Sequence, residues 1–282
     1  MATKNNAIST SVIKAELVDF GHGTYDAYTN MAIDDILLDL ADRTNRFFFR
    51  TYGFTRRSVI LANSDSSLNL RGRLGGADVT RRISGGKPIY VDDNVLSYSI
   101  TGPMHHGDGI ALNSTAINDI FGPTIMDVLG GMVKYREKLS MGKVYSIEFD
   151  GKPMVGNGQH VGMSHSFLYH GVVAIGPWDT KNINRYLRLR REDQAALSDL
   201  PNLHDLAGDG RTVQEYKKLF EERLHHKISS MFSLSAQIGQ DELNEVMESA
   251  AVRATHYADR GWVFRDDISL KRDSRFCLLW PD

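Results

Sequence analysis

Strand-like and helical runs follow one another irregularly along this chain, and several strand-like runs sit side by side as hairpins. That order excludes a regular βαβ repeat and predicts an α+β domain, a mixed β-sheet flanked by helices. Residues 12–20 alternate apolar and polar side chains, the period of a half-buried strand. Residues 29–42 place Met31, Ile33, Ile36, Leu37 and Leu40 near one helical face. Residues 46–52 and 57–62 are rich in β-formers and flank a turn-like Gly53-Phe54-Thr55-Arg56. Residues 90–102 are strand-like, with a turn at Asp92–Asn94. Residues 113–137 read as one long helix. Asp150-Gly151 predicts a hairpin, and residues 166–176 a strand. A short helix is expected at 181–191, amphipathic helices at 212–231 and 240–258, and at most a strand after Trp262.

Charge and cysteine content narrow the function classes. The 33 Lys and Arg against 35 Asp and Glu give a net charge of -2, so nothing draws the whole molecule to nucleic acid or an anionic membrane. Any basic site must be local. The single cysteine, Cys277, excludes an internal disulfide and any site built from several thiolates. The first residues lack the apolar core of a signal peptide, and no run approaches the ~18 apolar residues of a membrane span. The expectation is a cytoplasmic protein with neither a nucleic-acid nor a membrane partner. A Walker loop, a G-x-G-x-x-G turn, HExxH and a G-x-S-x-G elbow are all missing.

Three segments carry chemistry. Arg81-Arg82-Ile83-Ser84-Gly85-Gly86-Lys87 combines planar donors, a hydroxyl and two glycines before a strand. Glycines let backbone N–H groups approach an anion, and arginine matches phosphate or carboxylate. A solvated basic turn would use the same residues. Gly151 to Gln159 suits either a hairpin with a loose loop or a loop closing over a ligand through its amides and Lys152. Leu168-Tyr169-His170-Gly171 offers a strand histidine, in the core or in a site.

Taken in order, these segments resemble one family. Asn30-Met31-Ala32-Ile33-Asp34-Asp35-Ile36-Leu37-Leu38 resembles the N-terminal helix pattern of lipoate–protein ligases and octanoyltransferases, in the biotin/lipoate ligase superfamily. Arg81 to Gly86 with Tyr90-Val91-Asp92 and Tyr98-Ser99 resembles R-R-x-[ST]-G-G-x-x-V-[FLY]-H-D…-[YF]-[ST]. Gly151 to Gln159 resembles G-[KR]-K-[IV]-[AS]-G-[NS]-[AG]-Q, Leu168 to Gly171 resembles L-x-H-G, and Tyr257 to Phe264 resembles the closing Y-x-x-x-x-W-x-[FW].

The resemblance implies a catalytic domain over residues 1–265, like that of biotin ligases. A short tail, 266–282, follows, with no separate accessory domain. It implies an apolar tunnel for lipoate or octanoate, and ATP with Mg²⁺ to form an acyl-adenylate. The acceptor is a lysine of a carrier, a lipoyl domain or a glycine-cleavage H-like protein, and a separate small accessory subunit is an open partner. Carried over by motif position, the substrate and adenylate site would comprise Arg81, Arg82, Ser84, Gly85, Gly86, Lys87, Ile89, Asp92, Gly156, Asn157, Gln159, His170 and Gly171. Lys152 would be the catalytic cation and no metal-ligand set is assigned.

The chain departs from the pattern at a sensitive place. Anchored on Gly156, the family lysine falls on Pro153, with Lys152 one residue early and facing the other way unless Pro153 marks a bulge. Lys87 is the alternative cation, in a loop whose usual small residues are replaced by Lys87-Pro88. Val91 replaces the histidine of H-D. Transferases of the superfamily hold the acyl group on a cysteine, and Cys277 lies outside every matched motif. The reading is therefore a ligase, with carrier-to-carrier acyl transfer or a degenerate acyl-binding relative as alternatives.

Overall fold

The computed structural model describes residues 13–265 apart from 72–73, 107–109, 143–144 and 162–164. In chain order the elements are β1 (Ile13–Tyr25), α1 (Ala27–Thr44), β2 (Phe47–Phe54), β3 (Ser58–Leu61), β4 (Asp78–Arg81), β5 (Ile89–Val91) and β6 (Val95–Pro103). There follow β7 (His105–His106), β8 (Ile110–Ala111), α2 (Ser114–Gly130), β9 (Leu139–Met141), β10 (Ile147–Phe149), β11 (Lys152–Val161) and β12 (Ser166–Ala174). The rest are α3 (Thr180–Tyr186), α4 (Arg191–Ala196), α5 (Leu203–Ala207), α6 (Val213–Ser229), β13 (Phe232–Gln237), α7 (Gln240–Ala258) and α8 (Arg260–Val263).

Among the described residues the main sheet has eight strands in the order β13-β1-β2-β6-β12-β11-β10-β9. β1 runs parallel to both β2 and β13, and the other pairs are antiparallel. The sheet is mixed, as expected. Its strand alternation sends Phe47 and Phe49 to one face and Phe48 to the other. Helices α2 and α6 cover the first face through Ile117, Phe121, Phe220 and Leu224. Helices α1 and α7 cover the second through Met31, Ile33, Leu37, Val246 and Ala250. A smaller sheet, β4-β3-β5, carries the 81–88 loop and packs on a separate apolar cluster with Tyr186 and Phe264.

Some expected boundaries move. The helix expected at 113–137 stops at Gly130, followed by a Gly131 cap whose N–H bonds back to Asp127. The paired glycines end it, consistent with their poor helix propensity. The 181–191 helix ends at Tyr186. β13, Phe-Ser-Leu-Ser-Ala-Gln, is a strand missed by hydrophobic pattern because it is a largely exposed sheet edge. The Asp150-Gly151 turn is as expected, both residues having positive φ (53° and 75°), the geometry of a tight hairpin. After Trp262 the chain is helical to Val263 rather than strand-like, and the tail with Cys277 lies outside the described residues. Among the described residues no helix is long and apolar enough to cross a membrane.

Candidate active site

Helix α1 is fixed at its start by Asp26, whose carboxylate accepts the Thr29 N–H at 2.7 Å. This sets the face on which Asn30 and Asp34, one turn apart, point into the sheet. Arg50 of β2 meets them there. Its Nε and Nη2 donate to Asp34 Oδ1 at 3.0 and 2.7 Å, and Nη2 also donates to the Asn30 carbonyl at 2.6 Å. Ser99 of β6 donates to the same carboxylate oxygen at 2.7 Å. Burial works to raise the Asp34 carboxyl, but Arg50, His170 and Ser99 outweigh it and hold it at about 2.

The other carboxylate oxygen faces β12. His170 Nδ1 is 3.1 Å from Asp34 Oδ2, and His170 Nε2 is 2.6 Å from Ser84 Oγ in the 81–88 loop. Burial, with help from Arg82 and Arg50 and against Asp34, holds His170 below the usual imidazole range. The imidazole is therefore neutral at pH 7. Its Nδ1–H then donates to Asp34 and Nε2 accepts the Ser84 hydroxyl proton. Arg82 completes the chain, with Nε donating to Ser84 Oγ at 2.9 Å. All four side chains are buried.

The two arginines expected to grip an anion turn inward instead. Arg81 donates to the carbonyls of Ala62, Asp65 and Val263. Arg82 donates to Ser84 and to the carbonyls of Ile60, Gly85 and Lys87. Through these bonds both side chains shape the loop. Arg82 also explains Gly86. That residue has φ of 109°, and a Cβ there would sit 2.8 Å from Arg82 Nη2. Burial brings the Arg82 guanidinium down to about 10, so it stays charged. Three guanidiniums, Arg50, Arg81 and Arg82, against the carboxylates of Asp34 and Asp65 leave net positive charge beneath the loop. At the loop tip, the amides of Gly86 and Lys87 make no hydrogen bond among the described residues.

β11 carries the remaining candidates, and its facing decides them. Gly158 is paired with His170, and a Cβ on it would lie 3.1 Å from Ser84 Oγ and 3.2 Å from His170 Nε2, so a side chain there would press on both. Gly156, two residues along on the same face, has nothing within 4 Å of a built Cβ. Val172 stands opposite it, half-buried on the same apolar cluster as Ile83 and Ile89 at the two ends of the loop. The alternate residues point to the α2 side. Asn157 donates to the Tyr145 carbonyl and accepts the Tyr98 hydroxyl, an arrangement that also needs Gly171 to lack a side chain. Gln159 is on that side too, with both carboxamide atoms buried and without a partner among the described residues, while its carbonyl accepts the Gly85 N–H at 3.4 Å.

Lys152 is not brought to the site. The register passes from Ile147↔Val155 to Glu148↔Pro153, so Met154 is an extra residue in β11. The bulge exists and gives Lys152 the facing of position 153 in an unbulged strand, but that is the side of Val155 and Asn157, not the side of Gly156 and Gly158. Met154 and Val155 both enter the α2-side core, Pro153 takes the face of Gly156 and Gly158, and Lys152 pairs with Phe149 on the other side. Lys87 is exposed at the loop tip. Asp92 lies in the turn before β6, accepting the Asn94 N–H at 2.8 Å, beside the loop's strand rather than in the Ser84 cluster. Asp34 and Ser99 lie in the segments matched to the family pattern but were not assigned to the site from sequence, and Arg50 was in none of those segments. The signal was there for Asp34, a carboxylate repeating with Asn30 at helical spacing on an apolar face. As for a metal, Asp34 is saturated by Arg50, Ser99, His170 and Tyr52, and no group of three His, Cys, Asp or Glu among the described residues is placed to hold one.

The family model described as the lipoyl protein ligase A/B catalytic domain matches residues 26–225. A bi-partite lipoate protein ligase of Thermoplasma acidophilum, described with its E2 lipoyl domain, has a similar fold: TM-score 0.68 at 13% identity, covering 90% of this chain and 96% of that one. A lipoate-protein ligase A bound with ATP gives 0.65 at 14%, covering 89% and 99%. Plasmodium falciparum LipL1 in complex with lipoate gives 0.64 at 14%, covering 88% and 73%. No curated protein sequence matches.

Proposed function

This chain belongs to the lipoyl protein ligase A/B catalytic domain family, and from that premise we propose that it activates lipoate or octanoate with ATP and passes the acyl group to a lysine of a lipoyl carrier domain. The observation that carries the reading is the free space above Gly156. It is bordered by half-buried Val172, and it shares the sheet face of Gly158, which underlies the Ser84 loop. An eight-carbon chain laid along this face would bring its carboxyl toward the Gly86 and Lys87 amides. Neighbours of this fold described with ATP, with lipoate and with an E2 lipoyl domain support the substrate and partner classes.

In the first step the acid's carboxylate attacks the α-phosphate of ATP, forming the mixed anhydride and releasing pyrophosphate. Two anions must approach, so positive potential is required. Arg50 and Arg82 supply it from below and the free amides from the side. Lys87 is the lysine of the matched segments placed at this loop. In the second step the carrier's ε-amine attacks the acyl carbon, forming the amide and releasing AMP. Mg²⁺ would travel on the nucleotide phosphates; the described residues offer no cluster for it, and no step is assigned to it.

The test is incubation with ATP, lipoate or octanoate, and a panel of carrier domains, read by intact mass. One added acyl group on a carrier, dependent on ATP and on its acceptor lysine, is the expected result. Adenylate formation without transfer would assign the second step to a separate accessory subunit. Neither adenylate nor acylated carrier would overturn the reading.

A further inference from the structure

We propose that Ser84 is a nucleophile that carries the acyl group as an ester, with His170 as its base and Asp34 orienting that base. The proposal rests on the acyl-handling reading above but not on its use of ATP. A serine, a histidine and an aspartate joined through the two ring nitrogens are recognised as a catalytic unit by geometry, whatever their order in sequence. Here the contacts are 2.6 Å from Ser84 Oγ to His170 Nε2 and 3.1 Å from His170 Nδ1 to Asp34 Oδ2. Asp34 is itself fixed by Arg50 and Ser99, so the imidazole can turn neither toward another acceptor nor into the other tautomer.

The rest of the machinery is also present. Arg82 Nε–H already points at Ser84 Oγ, where it would stabilise the alkoxide on formation and on departure. The amides of Gly86 and Lys87, two and three residues beyond Ser84 and without a hydrogen bond among the described residues, would be donors for the oxyanion of a tetrahedral intermediate. Ser84 is covered by Gly158 and by the loop tip, which one long hydrogen bond, Gly85 N–H to Gln159 at 3.4 Å, ties to β11. The open space over Gly156 begins two strand residues away, about 7 Å at ~3.3 Å per residue. This route also accounts for Lys152 facing away from the site. Attack on a thioester brings no second anion to the carboxyl, so no lysine is needed there.

The donor is an acyl thioester. Ser84 Oγ attacks its carbonyl carbon while the hydroxyl proton passes to His170 Nε2. The C–S bond breaks, and the thiolate takes that proton and leaves as a free thiol. The carrier's lysine amine then attacks the Ser84 ester and gives a proton to His170. The C–O bond breaks and His170 returns the proton to Ser84 Oγ. The products are an amide on the carrier and free enzyme, with no oxidant or nucleotide consumed.

The experiment uses the full chain with octanoyl-coenzyme A as probe, without ATP, quenched in acid and read by intact mass and peptide mapping. One octanoyl group on the Ser84 peptide, removed by alkaline but not by neutral hydroxylamine, is expected. Ser84→Ala should abolish it, Ser84→Cys should restore an adduct as a thioester, and His170→Gln should slow its formation roughly a hundredfold or more with loss of its pH dependence. Melting curves show whether each variant is folded, and the Ser84→Cys result stands if Ser84→Ala is not. No adduct in the wild type, or one that survives Ser84→Ala, on Cys277 for instance, would overturn the proposal. ATP-dependent adenylate formation is assayed in parallel. If it proceeds while no acyl-enzyme forms, this inference fails and the ligase reading stands.

Discussion

Lys152 Nζ lies 3.6 Å from the Asp199 carboxylate, on the strand face opposite to that of Gly158 and Ser84. The pair is at the surface, with the two side chains 51% and 64% exposed, and such pairs contribute about 0–1 kcal/mol. Lys152→Met is therefore expected to shift the unfolding free energy by less than about 1 kcal/mol and to leave acyl transfer within about twofold of wild type. Chemical denaturation and a carrier-acylation rate measure both. A loss of adenylate formation would bring Lys152 back to the site.

Arg82 has the opposite standing. Its guanidinium serves Ser84 and three carbonyls in a buried setting. Hydrogen bonds to a charged group contribute about 1.5–3 kcal/mol each, and their loss leaves buried acceptors unpaired. Arg82→Ala should cost about 3 kcal/mol of stability in the ligand-free protein, read by urea denaturation. A loss under about 0.5 kcal/mol, the ordinary range for an exposed loop residue, would mean that the loop is not built on Arg82.

Much of this site was legible in the residues, but not its orientation. The segments of α1, the 81–88 loop, β11 and β12 do converge, and Ser84, Gly158 and His170 meet in three dimensions. Hydrophobic spacing found α1, α7 and the phenylalanine strand because their periods are clean. It could not tell whether Arg81 and Arg82 face a ligand or their own loop, since both uses call for the same donors. Strand parity was readable only as far as the bulge. One extra residue at Met154 reverses every facing before it; Pro153 beside it marked the bulge but not which sheet face holds the site. β13 was missed because an exposed edge strand has no buried face to write a pattern.

Asp34 links stability to pH. Its carboxyl sits at about 2 in the folded chain against an ordinary 3.8, so its charge stabilises the fold above about pH 4. That contribution is lost as pH falls through 4 toward 2. Asp34→Asn would leave Arg50 buried without its counter-charge, at a cost of about 3–5 kcal/mol near neutrality. The gap between variant and wild type should be constant from pH 7 to 5. It should then shrink by on the order of 2 kcal/mol by pH 2, as denaturation at each pH would show. A gap independent of pH down to 2 would contradict the ionised assignment.

Gly171 tests the α2-side clamp. A Cβ there would fall 2.3 Å from Asn157 Oδ1 and 2.4 Å from the Tyr98 hydroxyl, both packed between strands. Gly171→Ala should destabilise by about 1–3 kcal/mol, the usual cost of overpacking. An unchanged melting temperature would show that the Tyr98–Asn157 contact gives way freely.

In the proposed function the acyl chain lies over Gly156, and filling that space tests this most directly. Gly156 is exposed on its strand with nothing near a built Cβ, so a phenylalanine there should fold with a melting temperature close to wild type. Titration calorimetry with octanoate on wild type and Gly156→Phe, beside their melting curves, is the measurement. The expected result is at least a tenfold loss of octanoate affinity, about 1.4 kcal/mol, in a variant that is as stable as wild type. Equal affinity in that folded variant would contradict the placement of the acyl chain.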